Sequence, residues 1–333
     1  MCGLTHREIE TNGIRMHVAE QGVGPLVVLC HGFPESWYSW RHQLAALAAA
    51  GYHAVAPDMR GYGRTDRPEE IDRYTQLHHV GDMVGLLDAL GEETAVIAGH
   101  DWGAPVAWHA VLLRPDRFRA AMVLSVPFSP RGTAAPTKLL RQAAGDGFMY
   151  MLYFQSPGVA EAELERDPRV TVRNMLYGAS GEGAAAIRAA AASSGSAPSI
   201  GMVPRGGGML RGPGAPAMLP AWINEADIDF YAGEFKRSGF RGGLNYYRNV
   251  DRNWELMAPF AGAAVTVPAL YMAGDRDMVL AAPGTEQLLA NMKHDVPALR
   301  SVKMLSGRGH WTQQERPAEV NAAIIDFLCS LPD

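Results

Sequence analysis

The pentapeptide Gly99-His100-Asp101-Trp102-Gly103 follows a short apolar run and precedes a helical one. It has the spacing of the G-x-S-x-G nucleophile turn, with aspartate in place of serine. A side chain raised on a sharp strand-to-helix turn strains its own backbone, and the flanking residues must lack a Cβ for helix and strand to approach. An aspartate there is a nucleophile that needs no base to activate it. A second cluster, His31-Gly32-Phe33-Pro34, follows another apolar run. In a doubly wound sheet such a loop lies beside the carboxyl end of the next strand. Its N–H groups then face Asp101, and those of Phe33 and Trp102 make a candidate oxyanion hole.

A late histidine, His310 in Gly307-Arg308-Gly309-His310-Trp311, sits in the loop before the last helical segment. Nucleophile, acid, histidine is the chain order of hydrolases built on this kind of turn. The turn Gly274-Asp275-Arg276-Asp277 lies between the two and offers two carboxylates, one of which is expected to hold the imidazole in its tautomer. His100 beside Asp101 has the look of a partial metal site, but no H-E-x-x-H or comparable cluster supplies further ligands. No metal and no other cofactor is expected.

The elements that must position these groups follow from the hydrophobic pattern. Residues 13–20, 25–30, 52–57, 94–98, 119–125, 267–273 and 301–305 read as strands, several of them apolar on both faces. Residues 39–50, 75–90, 104–113 and 317–331 read as helices, with Gly51 and Gly91 closing the first two. The rhythm is that of an α/β protein with a mostly parallel, doubly wound sheet. Over residues 129–259 the strand signal vanishes: 137–142, 159–165 and 227–236 read as helices, the last capped by Asn224. Residues 181–197 are Ala-rich, and 200–220 read as a long Gly- and Pro-rich connection. The expected organisation is a core over 1–128 and 260–333 that shares one sheet, with 129–259 inserted as a helical lid. No repeat is evident.

The 333 residues are 47% hydrophobic and 20% charged, with a net charge of -5 and no basic run, which speaks against disorder and against a nucleic-acid partner. No apolar stretch approaches the ~20 residues of a spanning helix. Residues 1–10 carry His6, Arg7, Glu8 and Glu10 with no apolar region behind them, so a signal peptide is not expected and the cytoplasm is the default. Cys2, Cys30 and Cys329 fit neither a disulfide framework nor a zinc site. A homodimer is left open.

Together these residues resemble the soluble-type epoxide hydrolases of the alpha/beta-hydrolase fold. The resemblance extends through His31-Gly32-Phe33-Pro34-Glu35-Ser36-Trp37-Tyr38-Ser39-Trp40-Arg41, Asp58-Met59-Arg60-Gly61-Tyr62-Gly63 and Gly99-His100-Asp101-Trp102-Gly103-Ala104. It continues through Leu152-Tyr153-Phe154-Gln155-Ser156-Pro157-Gly158, Gly242-Gly243-Leu244-Asn245-Tyr246-Tyr247-Arg248-Asn249 and Gly309-His310-Trp311, nearly the whole chain. It looks like the compact bacterial members that lack an N-terminal phosphatase domain. The resemblance implies Asp101 as nucleophile, His310 as base, Asp277 as orienting acid, and Tyr153 and Tyr247 as proton donors on the lid. Asp275 departs from the pattern, since many relatives are uncharged there. The implied substrate is a small hydrophobic epoxide, with water as second reactant. Trp37, Trp40, Phe128, Phe148, Met151 and Trp311 are candidate pocket walls. The rivals are a haloalkane or haloacid dehalogenase, whose halide wants indole donors rather than phenols, and a catalytically silent binding protein of the same fold.

Overall fold

Strands that are apolar on both faces need cover on both, and alternation with helices supplies it. The computed structural model describes residues 3–144, 148–195, 201–203, 208–210 and 214–332. Its sheet is formed by β1 (Thr5–Thr11), β2 (Ile14–Gln21), β3 (Leu26–Cys30), β4 (His53–Pro57), β5 (Ala95–His100), β6 (Phe118–Leu124), β7 (Ala269–Gly274) and β8 (Leu299–Leu305). The spatial order is β1-β2-β4-β3-β5-β6-β7-β8. β2 runs antiparallel to β1 and β4, and the other pairs are parallel.

Helices α1 (Arg41–Ala49), α2 (Gln76–Leu90) and α3 (Gly103–Leu113) connect the first parallel strands. Between β6 and β7 lie α4 (Pro136–Ala144), α5 (Tyr150–Tyr153), α6 (Val159–Leu164), α7 (Pro168–Gly178), α8 (Gly181–Ser194), α9 (Glu225–Ser238), α10 (Arg241–Arg248) and α11 (Val250–Leu256). After β7 come α12 (Thr285–Asp295), α13 (Thr312–Glu315) and α14 (Pro317–Cys329). Alternate residues of β3 feed two cores: Leu26 and Val28 pack with Met83 and Leu86 of α2, while Val27 and Leu29 pack with Leu47 of α1 and Ile324 of α14. The fold is the alpha/beta-hydrolase architecture expected from the sequence.

The strand order explains where a site can form. β3 lies between β4 and β5, so the crossovers leaving β3 and arriving at β5 run in opposite directions across the sheet, and the loops after these two strands open a crevice. Cys30 pairs with Gly99 in register, which brings the loop after β3 abreast of Asp101.

Several details differ from the sequence reading. Residues 5–11 form the edge strand β1, whose side chains are largely exposed, and α12 was not anticipated. Asn224 is the cap expected from the sequence: it accepts from the N–H groups of Ala226 and Asp227 at the start of α9, while Asp227 accepts from the N–H of Asn224. Cys2 and residues 200, 204–207 and 211–213 of the Gly- and Pro-rich connection lie outside the described residues. Among the described residues no helix is long and apolar enough to cross a membrane.

Candidate active site

Asp101 directly follows β5 and has φ 51°, a left-handed conformation that costs a residue with a Cβ about 1–3 kcal/mol and persists only where the surroundings enforce it. The enforcement is visible in the flanking glycines. A Cβ at Gly99 would run into the backbone of Gly103, and one at Gly103 into the backbone of Cys30. The turn therefore lifts the carboxylate above the sheet. Oδ1 accepts the N–H of Phe33 at 2.7 Å, which leaves Oδ2 facing His310 Nε2 at 3.2 Å. The N–H of Trp102, at the start of α3, has no partner among the described residues.

His310 lies in the loop after β8, and its Nδ1 lies 3.0 Å from Asp277 Oδ1 and 3.0 Å from Ser125 Oγ. Burial works against a charged imidazole, but the Asp277 carboxylate and the bond to Asp101 outweigh it, and the His310 pKa rises well above its ordinary value. Burial likewise acts to raise the Asp277 carboxyl; the charge and hydrogen bond of His310, helped by Ser125 and the Val279 N–H, bring it below the usual carboxylate range. Asp275 does not reach the imidazole. It is exposed, and its Oδ1 accepts the N–H of Gly307, bracing the histidine loop from outside.

Behind these groups runs a buried polar chain. His100 Nε2 donates to the carbonyl of His310 at 2.7 Å, and Nδ1 meets Glu35 Oε2 at 2.9 Å. Glu35 also accepts the N–H of Gly32 and the Gln313 side chain. Burial would raise the Glu35 carboxyl, yet His100 outweighs it and brings it down to about 2. One ionised side chain thus fixes both the loop that carries Phe33 and, through His100, the backbone of His310.

A cavity of ≈ 570 Å³ opens over Asp101 and His310. That volume suits a small or medium organic ligand. Tyr150 and Tyr247 line it together with Phe33, Phe154 and Trp311. The two tyrosine rings are 5.9 Å apart. Burial, then the charge of Asp101, pushes both phenols above their usual pKa, so both remain protonated donors. Packing explains how Tyr247 gets there. A Cβ at Gly243 would meet the Phe33 ring at 2.6 Å, so only glycine lets α10 settle this low over the loop. Gln155 Nε2 donates to the carbonyls of both Met151 and Tyr247 at 2.9 Å, tying α5 to α10.

The sequence profile of the alpha/beta hydrolase fold family matches residues 25–317. Epoxide hydrolase A of Mycobacterium tuberculosis is 47% identical over 338 residues, covering 99% of each chain. The structure of an epoxide hydrolase from an endophytic Streptomyces superposes with a TM-score of 0.91 at 48% identity, covering 98% of this chain and 96% of that one. That of Epoxide Hydrolase A from Mycobacterium thermoresistibile gives 0.87 at 46% identity, covering 99% of each. The chain belongs to the epoxide hydrolases of the alpha/beta-hydrolase fold.

Within this epoxide hydrolase framework the structure corrects part of the sequence reading. Tyr153 does not share the cavity with Tyr247: its hydroxyl donates to Glu163 Oε2 at 2.7 Å, and Tyr150, one helical turn earlier, faces Asp101 instead. Nothing in the spacing of Tyr150-Met151-Leu152-Tyr153 separates the two, because residues three apart share one face of a helix and only the neighbours decide which opens on the cavity. Of the candidate walls, Trp311 lines the cavity while its indole N–H donates to the carbonyl of Leu176. Trp37 instead packs edge-on against Tyr38 and Phe230, and Phe128 against Trp108. Met151, Trp40 and Phe148 are also absent from the wall, Phe148 lying against Tyr153. Sequence reasoning missed Ser125, which has φ 74° directly after β6, and Ile187 of α8 in the cavity wall. The only signal for Ser125 was its place at a strand's carboxyl end.

Proposed function

We propose that the chain hydrolyses a small hydrophobic epoxide to a vicinal diol through an ester on Asp101. The observation that carries this reading is one cavity lined by a carboxylate paired with a histidine and by two protonated phenols. In the first half-reaction Asp101 Oδ2 attacks a ring carbon, the carbon–oxygen bond breaks, and the oxygen takes a proton from Tyr150 or Tyr247. Esterification removes the Asp101 charge. That charge contributes to holding both phenols and His310 above their ordinary pKa, so its loss lowers all three. The tyrosinate is easier to form as the ester forms, and the imidazole is released to act as a base when one is needed.

In the second half-reaction neutral His310 takes a proton from water as its oxygen adds to the ester carbon. Asp277 stabilises the imidazolium. Oδ1 becomes the oxyanion and is held by the N–H groups of Phe33 and Trp102, each such donor being worth about 3 kcal/mol of barrier. Collapse releases the diol oxygen, which takes the proton from His310. The remaining proton returns from the carboxylic acid to the tyrosinate, and epoxide plus water has become diol.

A dehalogenase reading is disfavoured because the Trp311 indole N–H is already bonded to Leu176 and Trp102 is not part of the cavity wall. The test is His310→Gln mixed with an epoxide. Intact-mass measurement is expected to find a substrate-sized adduct on the Asp101 peptide. Absence of the adduct, with no heavy oxygen entering Asp101 in single-turnover labelled water, overturns the two-step reading.

A further inference from the structure

Tyr153 is left with a hydroxyl buried in a contact that the chemistry above does not use. Its partner, Glu163 of α6, is a single carboxylate shared by three donors among the described residues. Oε2 accepts the Tyr153 hydroxyl at 2.7 Å and the N–H of Met209 at 2.9 Å, and Oε1 accepts the N–H of Leu210 at 2.9 Å. Burial and the bond to Glu163 push the Tyr153 phenol up to about 12, which keeps it a donor across the neutral range. Met209 and Leu210 both line the cavity. They belong to the connection between α8 and α9, where neither N–H is paired within a helix or strand. Two flanking stretches are anchored separately. Val203 donates its N–H to Phe148 at 2.7 Å, and Arg173 donates to the carbonyls of Ala215, Pro216 and Ala217. Of the three anchors among the described residues, the one at Glu163 grips the backbone of these two wall residues directly.

We propose that Glu163 and Tyr153 are positioning residues for substrate selection, a clamp that fixes Met209 and Leu210 as cavity wall and so limits the bulk of the epoxide admitted. The proposal rests on the epoxide reading but concerns a different quantity. The hydroxyl of Tyr153 orients the carboxylate, the carboxylate holds two backbone N–H groups, and those hold two apolar side chains against the substrate. Releasing the clamp lets the wall recede, which favours bulky substrates relative to small ones and leaves Asp101, His310, Tyr150 and Tyr247 in place.

The experiment compares kcat/KM for trans-stilbene oxide and for 1,2-epoxyhexane in the wild type, Glu163→Ala, Glu163→Gln and Tyr153→Phe, with melting curves for each. A change of pocket fit on the scale of a methylene is worth ~10–200-fold in discrimination. Glu163→Ala is expected to raise the bulky-to-small ratio about tenfold, mostly through KM, with smaller shifts of the same sign in the two milder variants. A ratio unchanged within about twofold, a fall in the ratio, or equal slowing of both substrates overturns the proposal, the last marking a merely structural role. Affinities of the two corresponding diols, measured by calorimetry in the same variants, are expected to shift in the same sense. If the wild type opens neither epoxide, the functional reading fails while the diol affinities still decide the clamp.

Discussion

Two regions meet over the cavity, and they place their side chains by different means. Asp101, Ser125, Asp277 and His310 all stand in the turns that follow β5, β6, β7 and β8. Their mutual distances are set by the hydrogen-bonded register of parallel strands, which leaves little freedom. Tyr150 and Tyr247 come from short helices whose position depends on glycine contacts, on Gln155 bridging two carbonyls, and on a two-residue bridge between Met149 and Met202. The sheet edge is a rigid frame for charge; the helical insertion is an adjustable frame for proton donation and for shape. Loss of the nucleophilic charge on the sheet side is therefore expected to remove a step outright, and substitutions on the insertion to slow a step without abolishing it.

The largest effect tests the rigid frame. Asp101→Asn keeps shape and loses the nucleophilic charge, and steady-state turnover is expected to fall by roughly 10⁴-fold or more. Turnover near the wild-type rate in a sample shown by mass not to have deamidated breaks the comparison at its root. Next come the donors. Tyr150→Phe and Tyr247→Phe are each expected to slow alkylation by ~10²–10⁴-fold with an unchanged melting temperature, since the rings and their contacts remain. Tyr153→Phe is expected to leave alkylation by a small epoxide within a few-fold of wild type. Stopped-flow single turnovers distinguish the three, and a large loss at Tyr153 with little at Tyr150 reverses the assignment made from the cavity.

The pH dependence sharpens the same contrast. Neutral imidazole is the base, so ester hydrolysis slows as pH falls through the His310 pKa. In the free enzyme that pKa is raised despite burial by Asp277 and Asp101, but in the ester Asp101 carries no charge. The midpoint for ester decay is thus expected below the midpoint for His310 titration in the free enzyme, followed by imidazole NMR. Coincident midpoints contradict the coupling. A smaller effect is expected from Ser125→Ala, which removes one hydroxyl beside Nδ1 and Asp277. At about 1 kcal/mol for a hydrogen bond, it is expected to slow ester hydrolysis roughly fivefold without touching alkylation. The smallest concerns Gly243→Ala. The added methyl meets the Phe33 ring, an overpacking cost of ~1–3 kcal/mol partly offset by the ~1 kcal/mol gain in helix propensity. A net loss of about 1 kcal/mol in denaturant unfolding is expected; a gain indicates that α10 has room to spare.

Legibility in the sequence follows the same division. The alternation of apolar strands with helices made the sheet readable, because a strand buried on both faces leaves a local trace in every residue. β1 was missed because an exposed edge strand such as Thr5–Thr11 keeps charged residues and buries few side chains. The spacing of Gly99 and Gly103 around Asp101 was readable for a steric reason confined to one turn. Between Asp275 and Asp277 the residues alone left a choice, since both carboxylates follow one strand; resemblance favoured Asp277, and the structure pairs it with His310 while Asp275 holds Gly307.

What the sequence determined by itself was therefore whatever is enforced by local backbone geometry: the elements, their order, and the candidate set of Asp101, the acidic turn and His310. Only the tertiary structure decided which of Tyr150 and Tyr153 opens on the cavity, that Trp37, Phe128 and Met151 pack elsewhere, and that Glu163 grips residues far along the chain. The physical reason is that a side chain's partners across the fold are set by long-range packing. Two tyrosines on one turn of helix have almost the same local energetics until α6, α10 and the connection after α8 close around them.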